Sequence, residues 1–191
     1  MDIPPPRPYE ERSADALPWR TTLLGNRMQH NYWIYSVIDR VMIENPQIKS
    51  IVEIGTGFGC MTTIFGLWGI HRNIPVISID KVHRHHTHVL QKLGVEYVQD
   101  DIKSEDVQNK ILNIVNSKPT WIFCDGGCKR EELKLFAPKI PKDSIISAHD
   151  LGVEFIHKLH GQPLCDQGIL EPFHPEWWME MNIQTAIYKK L

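Results

Sequence analysis

A short β-branched run, Ile51-Val52-Glu53-Ile54, passes directly into Gly55-Thr56-Gly57-Phe58-Gly59 and then into Cys60 to Trp68, a stretch that reads as a helix. Strand, glycine turn and helix in that order bring backbone N–H groups close to a ligand. With no side chains at 55, 57 and 59, a flat or zwitterionic molecule can lie against the chain. The glycine spacing is G-x-G-x-G, with an acid two residues before the first glycine. The dinucleotide fingerprint G-x-G-x-x-G would want its third glycine where Cys60 stands.

The rest of the sequence repeats the alternation. Strands are expected at 49–54, 75–80, 95–98, 120–125 and 144–149. Helices are expected at 60–71, 83–93, 104–116, 129–137 and 151–160. Before them, Ile34, Val37, Ile38 and Val41 give a helix between Met28 and Glu44, closed by Asn45-Pro46. Ser104 followed by Glu105 and Asp106 is a favourable helix start, because acids oppose the positive end of the dipole. Asn182 to Lys189 reads as a final strand. Such βα units predict a doubly wound α/β fold: a mainly parallel sheet with helices on both faces. Gly161-Gln162-Pro163 should break the chain. The segment 161–181 after it allows either a short strand near 168–173 or a loop beside the active site.

At 191 residues the chain is read as one domain, 21–191, preceded by an extended arm, 1–20, that holds five prolines. The net charge of −2 gives no basic field for nucleic acid or an anionic membrane. No apolar run approaches the ~20 residues of a membrane-spanning helix. Met1 to Pro6 does not read as a signal peptide. Cys60, Cys124, Cys128 and Cys165 lack paired metal spacing, which points to a reduced, cytoplasmic protein.

The pattern Glu-x-Gly-x-Gly-x-Gly at 53–59 resembles the first motif of Rossmann-like, S-adenosylmethionine-dependent methyltransferases, and the resemblance extends from about Gly25 to the C-terminus. It implies that the last strand runs antiparallel within the sheet. It also implies cofactor contacts from Glu53, Gly55, Thr56, Gly57 and Gly59. Strand two ends at Asp80, followed by Lys81; an acid there can accept both hydrogen bonds of a ribose diol. Strand three leads into Asp100-Asp101, and Asp101 matches the aspartate that accepts from the adenine amino group. Asp100 stands where the family usually has glycine. The loose match at Gly25 to Gln29 lies where relatives approach the methionine end of the cofactor.

Strand four ends at Asp125-Gly126-Gly127-Cys128-Lys129, and strand five at His149-Asp150. This layout resembles the metal-dependent O-methyltransferases, among them catechol O-methyltransferase and the cephalosporin-hydroxylase and macrocin types. It implies Asp125, His149 and Asp150 as metal ligands, with Asp125 also beside the cofactor. Carboxylates suit Mg²⁺, and an imidazole shifts the preference toward Mn²⁺, Fe²⁺ or Zn²⁺. Cys128 falls where relatives carry a lysine or histidine base. Lys129, the next residue, takes that role if the helix turns it inward and its pKa is lowered, and His149 is the other candidate base.

His83-Arg84-His85-His86-Thr87-His88 is read as a solvated helix face remote from this end. Trp19, Tyr32, Trp33, Trp177 and Trp178 are read either as stacking groups for a substrate or as packing residues. The expected activity is O-methylation of a small molecule with S-adenosylmethionine and divalent-metal assistance, with a homodimer as the assembly considered. The alternatives are an NAD(P)-dependent oxidoreductase, and a catalytically silent cofactor-binding relative that acts through a partner.

Overall fold

A computed structural model describes residues 22–27, 30, 33–83, 87–116, 118–179 and 183–191. The expected arm 1–20 lies outside them, as do Trp19 and Tyr32. The described chain opens with a small hairpin, β1 (Thr22–Leu23) and β2 (Asn26–Arg27). Its turn, Leu24-Gly25, has positive φ at both residues, 51° and 87°, as tight hairpins require. Helix α1 (Ile34–Glu44) follows. Its apolar stripe is fully buried, and Asn45 caps its end by donating from Nδ2 to the Val41 carbonyl at 2.8 Å.

The core alternates as expected: β3 (Ser50–Ile54), α2 (Cys60–Arg72), β4 (Val76–Asp80), α3 (Thr87–Lys92), β5 (Val95–Gln99), α4 (Glu105–Val115), β6 (Thr120–Cys124), α5 (Lys129–Phe136) and β7 (Ile145–His149). β8 (Leu170–Pro172), α6 (Gln162–Asp166) before it, α7 (Pro175–Met179) and β9 (Thr185–Lys190) complete the chain. Seven strands form one sheet in the order β5-β4-β3-β6-β7-β9-β8. β3 to β7 pair in parallel, while β9 runs antiparallel to both β7 and β8. β3, β6 and β7 are buried along their whole length, as strands covered on both faces must be.

The chain winds outward from β3 to β5 and then returns to the other side of β3 to make β6. The carboxyl ends of β3 and β6 are therefore the topological switch point, where open α/β sheets leave a crevice.

Two expectations fail after β7. Of the helix expected at 151–160, residues 151–156 are not helical. Asp150 and Gly152 have positive φ, 55° and 89°, and the Asp150 carbonyl accepts from the amides of Val153, Glu154 and Phe155, making a tight loop. The chain then takes a π-helical turn, His157–Gly161, that runs straight into α6. Pro163 does not break it, because proline in the first turn of a helix sacrifices no intrahelical bond. The short strand expected near 168–173 is present as β8. Trp177 and Trp178 are buried packing residues against Tyr188 and Phe173, not part of a substrate rim.

Candidate active site

The glycine loop leaves β3 at the switch point. The Asp125 amide donates to the Ile54 carbonyl, and the Gly55 amide to the Ile79 carbonyl, both at 2.7 Å. Gly55 has φ +95°, and a Cβ there would sit 2.3 Å from the Asp125 carbonyl oxygen. Only glycine permits that approach.

Glu53 does not reach the cleft. It is 1 % exposed, and its carboxyl accepts from Thr62 of α2 and Ser78 of β4. Since Ser78 donates to Glu53, the Thr56 hydroxyl donates in turn to Ser78 at 2.6 Å. Burial, opposed by these hydrogen bonds and reinforced by the nearby carboxylates of Asp125 and Asp80, pushes the Glu53 pKa up to about 8. Its place is beneath the loop, as an anchor, and not against a ligand.

Asp80 ends β4 at the lip of the same loop. Its Oδ2 accepts from the Gly57 amide at 2.8 Å and its Oδ1 from the Val82 amide at 2.9 Å. Each oxygen retains a second lone pair. Asp80, Lys81, Thr56 and the glycines line a cleft of about 310 Å³ that extends to Asp125, Lys129 and His149. A side lobe of about 140 Å³ continues from Asp80 past Asp101 and Ile102. Asp101 is half-buried and accepts from the Lys103 amide at 2.9 Å, while the neighbouring Asp100 is exposed.

At the other end, β6 delivers Asp125 and β7 delivers His149. Sequence reasoning missed the third member, His30. The Arg27 segment pairs with Gly59, and Asn26 donates to Thr63 at 2.9 Å, which draws the chain before α1 over the glycine loop. His30 is thereby 6 % exposed, with Nε2 at 3.1 Å from Asp125 Oδ2 and its ring 4.2 Å from that of His149. Phe123 packs under both rings. Nothing in the local sequence marks His30, because it stands alone in an irregular segment.

Burial works to raise the Asp125 pKa. The His30 hydrogen bond and the nearby Lys129 ammonium outweigh it and hold the carboxyl below its usual range. Burial and the neighbouring His30 ring push His149 down, so its imidazole is neutral. The His149 Nδ1 faces Thr185 Oγ1 at 2.9 Å, opposite it in the β7–β9 register. His149 Nε2 stands 3.5 Å from Asp150 Oδ1.

Lys129 is turned inward and 5 % exposed. Its ammonium donates to Asp150 at 2.7 Å and Glu154 at 2.6 Å and lies 3.4 Å from Asp125. Burial alone would lower its pKa, but the bonds to Asp150 and Glu154 and the charge of Asp125 raise it above the ordinary lysine value. The condition for a lysine base, a lowered pKa, is therefore not met in this network. Asp150 is committed to Lys129 and stands 3.5 Å from His149 Nε2. Glu132 is buried and accepts from the Gly126 and Cys128 amides, bracing the loop after β6. His83 and His88 are exposed and away from this cluster, and the rest of the His83–His88 tract lies largely outside the described residues.

No family model matches the sequence, and no curated protein matches it. Solved structures do. CmcI with Mg-SAM superposes with a TM-score of 0.69 at 13 % identity, over 91 % of this chain and 77 % of that one. A methyltransferase from Geobacter sulfurreducens gives 0.60 at 12 % identity, over 84 % and 80 %. MycE, from the mycinamycin biosynthetic pathway and in complex with Mg and SAH, gives 0.52 at 16 % identity, over 83 % of this chain and 46 % of MycE. At such identities the likeness bears on architecture, and with the strand order and the glycine loop it establishes that this chain has the Rossmann-like fold of S-adenosylmethionine-dependent methyltransferases.

Proposed function

We propose that the chain is an S-adenosylmethionine-dependent methyltransferase that acts on an oxygen of a small molecule, with a divalent cation at the reacting end. The observation that carries this is one cleft at the switch point. It has Asp80 and the glycine loop at one end and buried Asp125 and His149 at the other. In this reading Gly55, Thr56, Gly57 and Gly59 receive the cofactor, Asp80 and Lys81 its ribose, and Asp101 its adenine. The methyl-bearing sulfonium then lies near Asp125.

The donor chemistry fits a cation. Asp125 stays ionised although buried, and His149, whose Nδ1 is engaged by Thr185, has its Nε2 beside Asp150. A divalent cation held by Asp125 and His149, with Asp150 alongside, would supply the charge that lowers the pKa of an acceptor hydroxyl. CmcI with Mg-SAM and MycE with Mg and SAH pair the same kinds of ligand.

In the reaction the acceptor oxygen attacks the methyl carbon as the carbon–sulfur bond breaks, and the sulfonium becomes a neutral thioether. In-line positioning supplies much of the barrier lowering. The acceptor loses its proton. Lys129, already protonated, does not take it in this network; its charge instead holds Asp125, Asp150 and Glu154 in place, and the proton passes to Asp150 or Glu154, both of which reach solvent. The net charge speaks against a nucleic-acid substrate. All four cysteines are free, which suits a reducing compartment such as the cytoplasm. Among the described residues no helix is long and apolar enough to cross a membrane.

Calorimetry with S-adenosylmethionine, its demethylated product and NADH tests the reading. The first two should bind and NADH should not. Preference for NADH would favour an oxidoreductase. Binding without turnover on any acceptor panel would favour a silent relative.

A further inference from the structure

The imidazole of His30 is buried, yet its Nδ1 has no hydrogen-bond partner, alone in this respect among the buried side-chain polar atoms of the described residues. Its other nitrogen faces Asp125. A buried ring left half-satisfied is costly, and a native structure with one calls for a water at Nδ1; the nitrogen placed to ligate beside Asp125 is the other one, Nε2. One nitrogen from each of His30 and His149 and one oxygen of Asp125 lie within 4.8 Å of one another. A tetrahedral shell with bonds of ~2.0–2.2 Å spaces its donors ~3.3–3.6 Å apart, and the 3.1 Å between His30 and Asp125 is already close to that. The site has the usual outer support: Thr185 engages His149 Nδ1 and orients the ring. The floor is apolar Phe123, which packs under both rings.

We propose that His30 is a ligand of the cation. His30, Asp125 and His149 then form a two-histidine, one-carboxylate site that selects a borderline transition ion, such as Co²⁺, Zn²⁺, Mn²⁺ or Fe²⁺, over Mg²⁺. Nitrogen donors suit these ions, whereas Mg²⁺ favours an all-oxygen shell and keeps its waters. Asp150 is not needed for the set, because Lys129 claims it. The inference rests on the reading above only in placing a cation at Asp125 and His149.

The test uses the full chain, stripped with a chelator and titrated with Co²⁺. It is read by the visible d–d absorption band and by metal content after dialysis. A single tightly held ion is expected, not displaced by a large excess of Mg²⁺. His30→Gln and His149→Gln should each weaken Co²⁺ binding at least ~100-fold, more than the loss of an outer-shell partner does. His88→Gln, in the exposed tract, should not. Wild-type Co²⁺ affinity in folded His30→Gln overturns the proposal. So does displacement by equimolar Mg²⁺, failure of the wild-type chain to bind Co²⁺, or loss of binding only in His88→Gln. If His30→Gln does not fold, His30→Asp is read instead: its absorption band should shift as oxygen replaces nitrogen, and an unchanged band overturns the assignment. S-adenosylmethionine calorimetry on the same samples separates the two readings. A chain that holds Co²⁺ but not the cofactor refutes the methyltransferase and leaves the metal site standing.

Discussion

Asp80 Oδ2 accepts the Gly57 amide at 2.8 Å, so the acid at the end of β4 holds the glycine loop in shape before any ligand arrives. In the proposed reading the same carboxylate also receives the ribose. Asp80→Ala thus removes both the loop's tether and two charge-assisted bonds to the diol, worth roughly 2–4 kcal/mol together. Calorimetry should show S-adenosylmethionine binding at least ~10-fold weaker, with unchanged far-UV circular dichroism. Wild-type affinity in a folded variant would rule out the ribose role.

Gly55→Ala should be among the most damaging small substitutions in the chain. The new methyl would collide with the backbone of Asp125, and φ at this position lies where side chains are strained. A loss of about 3 kcal/mol or more is expected, read as a fall in Tm of several degrees. An equal Tm would mean that the two loops separate easily.

Glu53 gives stability a particular pH dependence. Its folded pKa is raised to about 8, so between the unfolded value, near 4.5, and 8 the folded state binds more protons than the unfolded state. Stability from this group is full below about 4.5, falls as pH rises and levels off above about 8. Glu53→Gln should remove that slope and gain on the order of 3 kcal/mol relative to the native chain at pH 9. Urea unfolding of both proteins from pH 5 to 9 measures the difference. Parallel curves would exclude Glu53 as the source.

Lys129→Met should lower turnover ~10²-fold or more by releasing Asp150 and Glu154, with cofactor affinity nearly unchanged. Lys129→Arg, which keeps the charge, should recover part of the loss. Because the network raises the lysine pKa, the pH–rate profile of the native chain should show no rising limb that disappears in Lys129→Arg. Such a limb would restore the lysine as the base.

Chelation should abolish turnover, and a divalent transition ion should restore it. Asp125→Asn should not be rescued, because an amide oxygen carries no charge to the ion. Full turnover in excess EDTA would remove the metal from the proposed chemistry.

Much of this architecture is legible in the residues themselves. Ile51 to Gly59 announces strand, turn and helix, and the strand ends at Asp80, Asp125 and His149 line up because parallel strands present their carboxyl ends on one side. What escapes is long-range. His30 acquires its place through Arg27 against Gly59 and Asn26 against Thr63, contacts that no local pattern encodes. Lys129 faces inward as expected for a base, but its charge state depends on Glu154, which a loop at Asp150 turns back toward it. That loop replaces an expected helix, because helical periodicity in 151–160 says nothing about the left-handed backbone at Asp150 and Gly152. Glu53 looked like a ligand contact because acids in motifs usually face ligands; the register of β3 turns it into the layer under the loop.

The backbone contact between Gly55 and Asp125 has one more consequence. The loops after β3 and β6 touch with no side chain between them, so neither has slack to move alone. A molecule that displaces the glycine loop must carry the segment holding Asp125 with it, and whatever displaces Asp125 moves the loop in return. Two ligands bound at these two places would then be coupled through the backbone, each feeling the other by the same free energy.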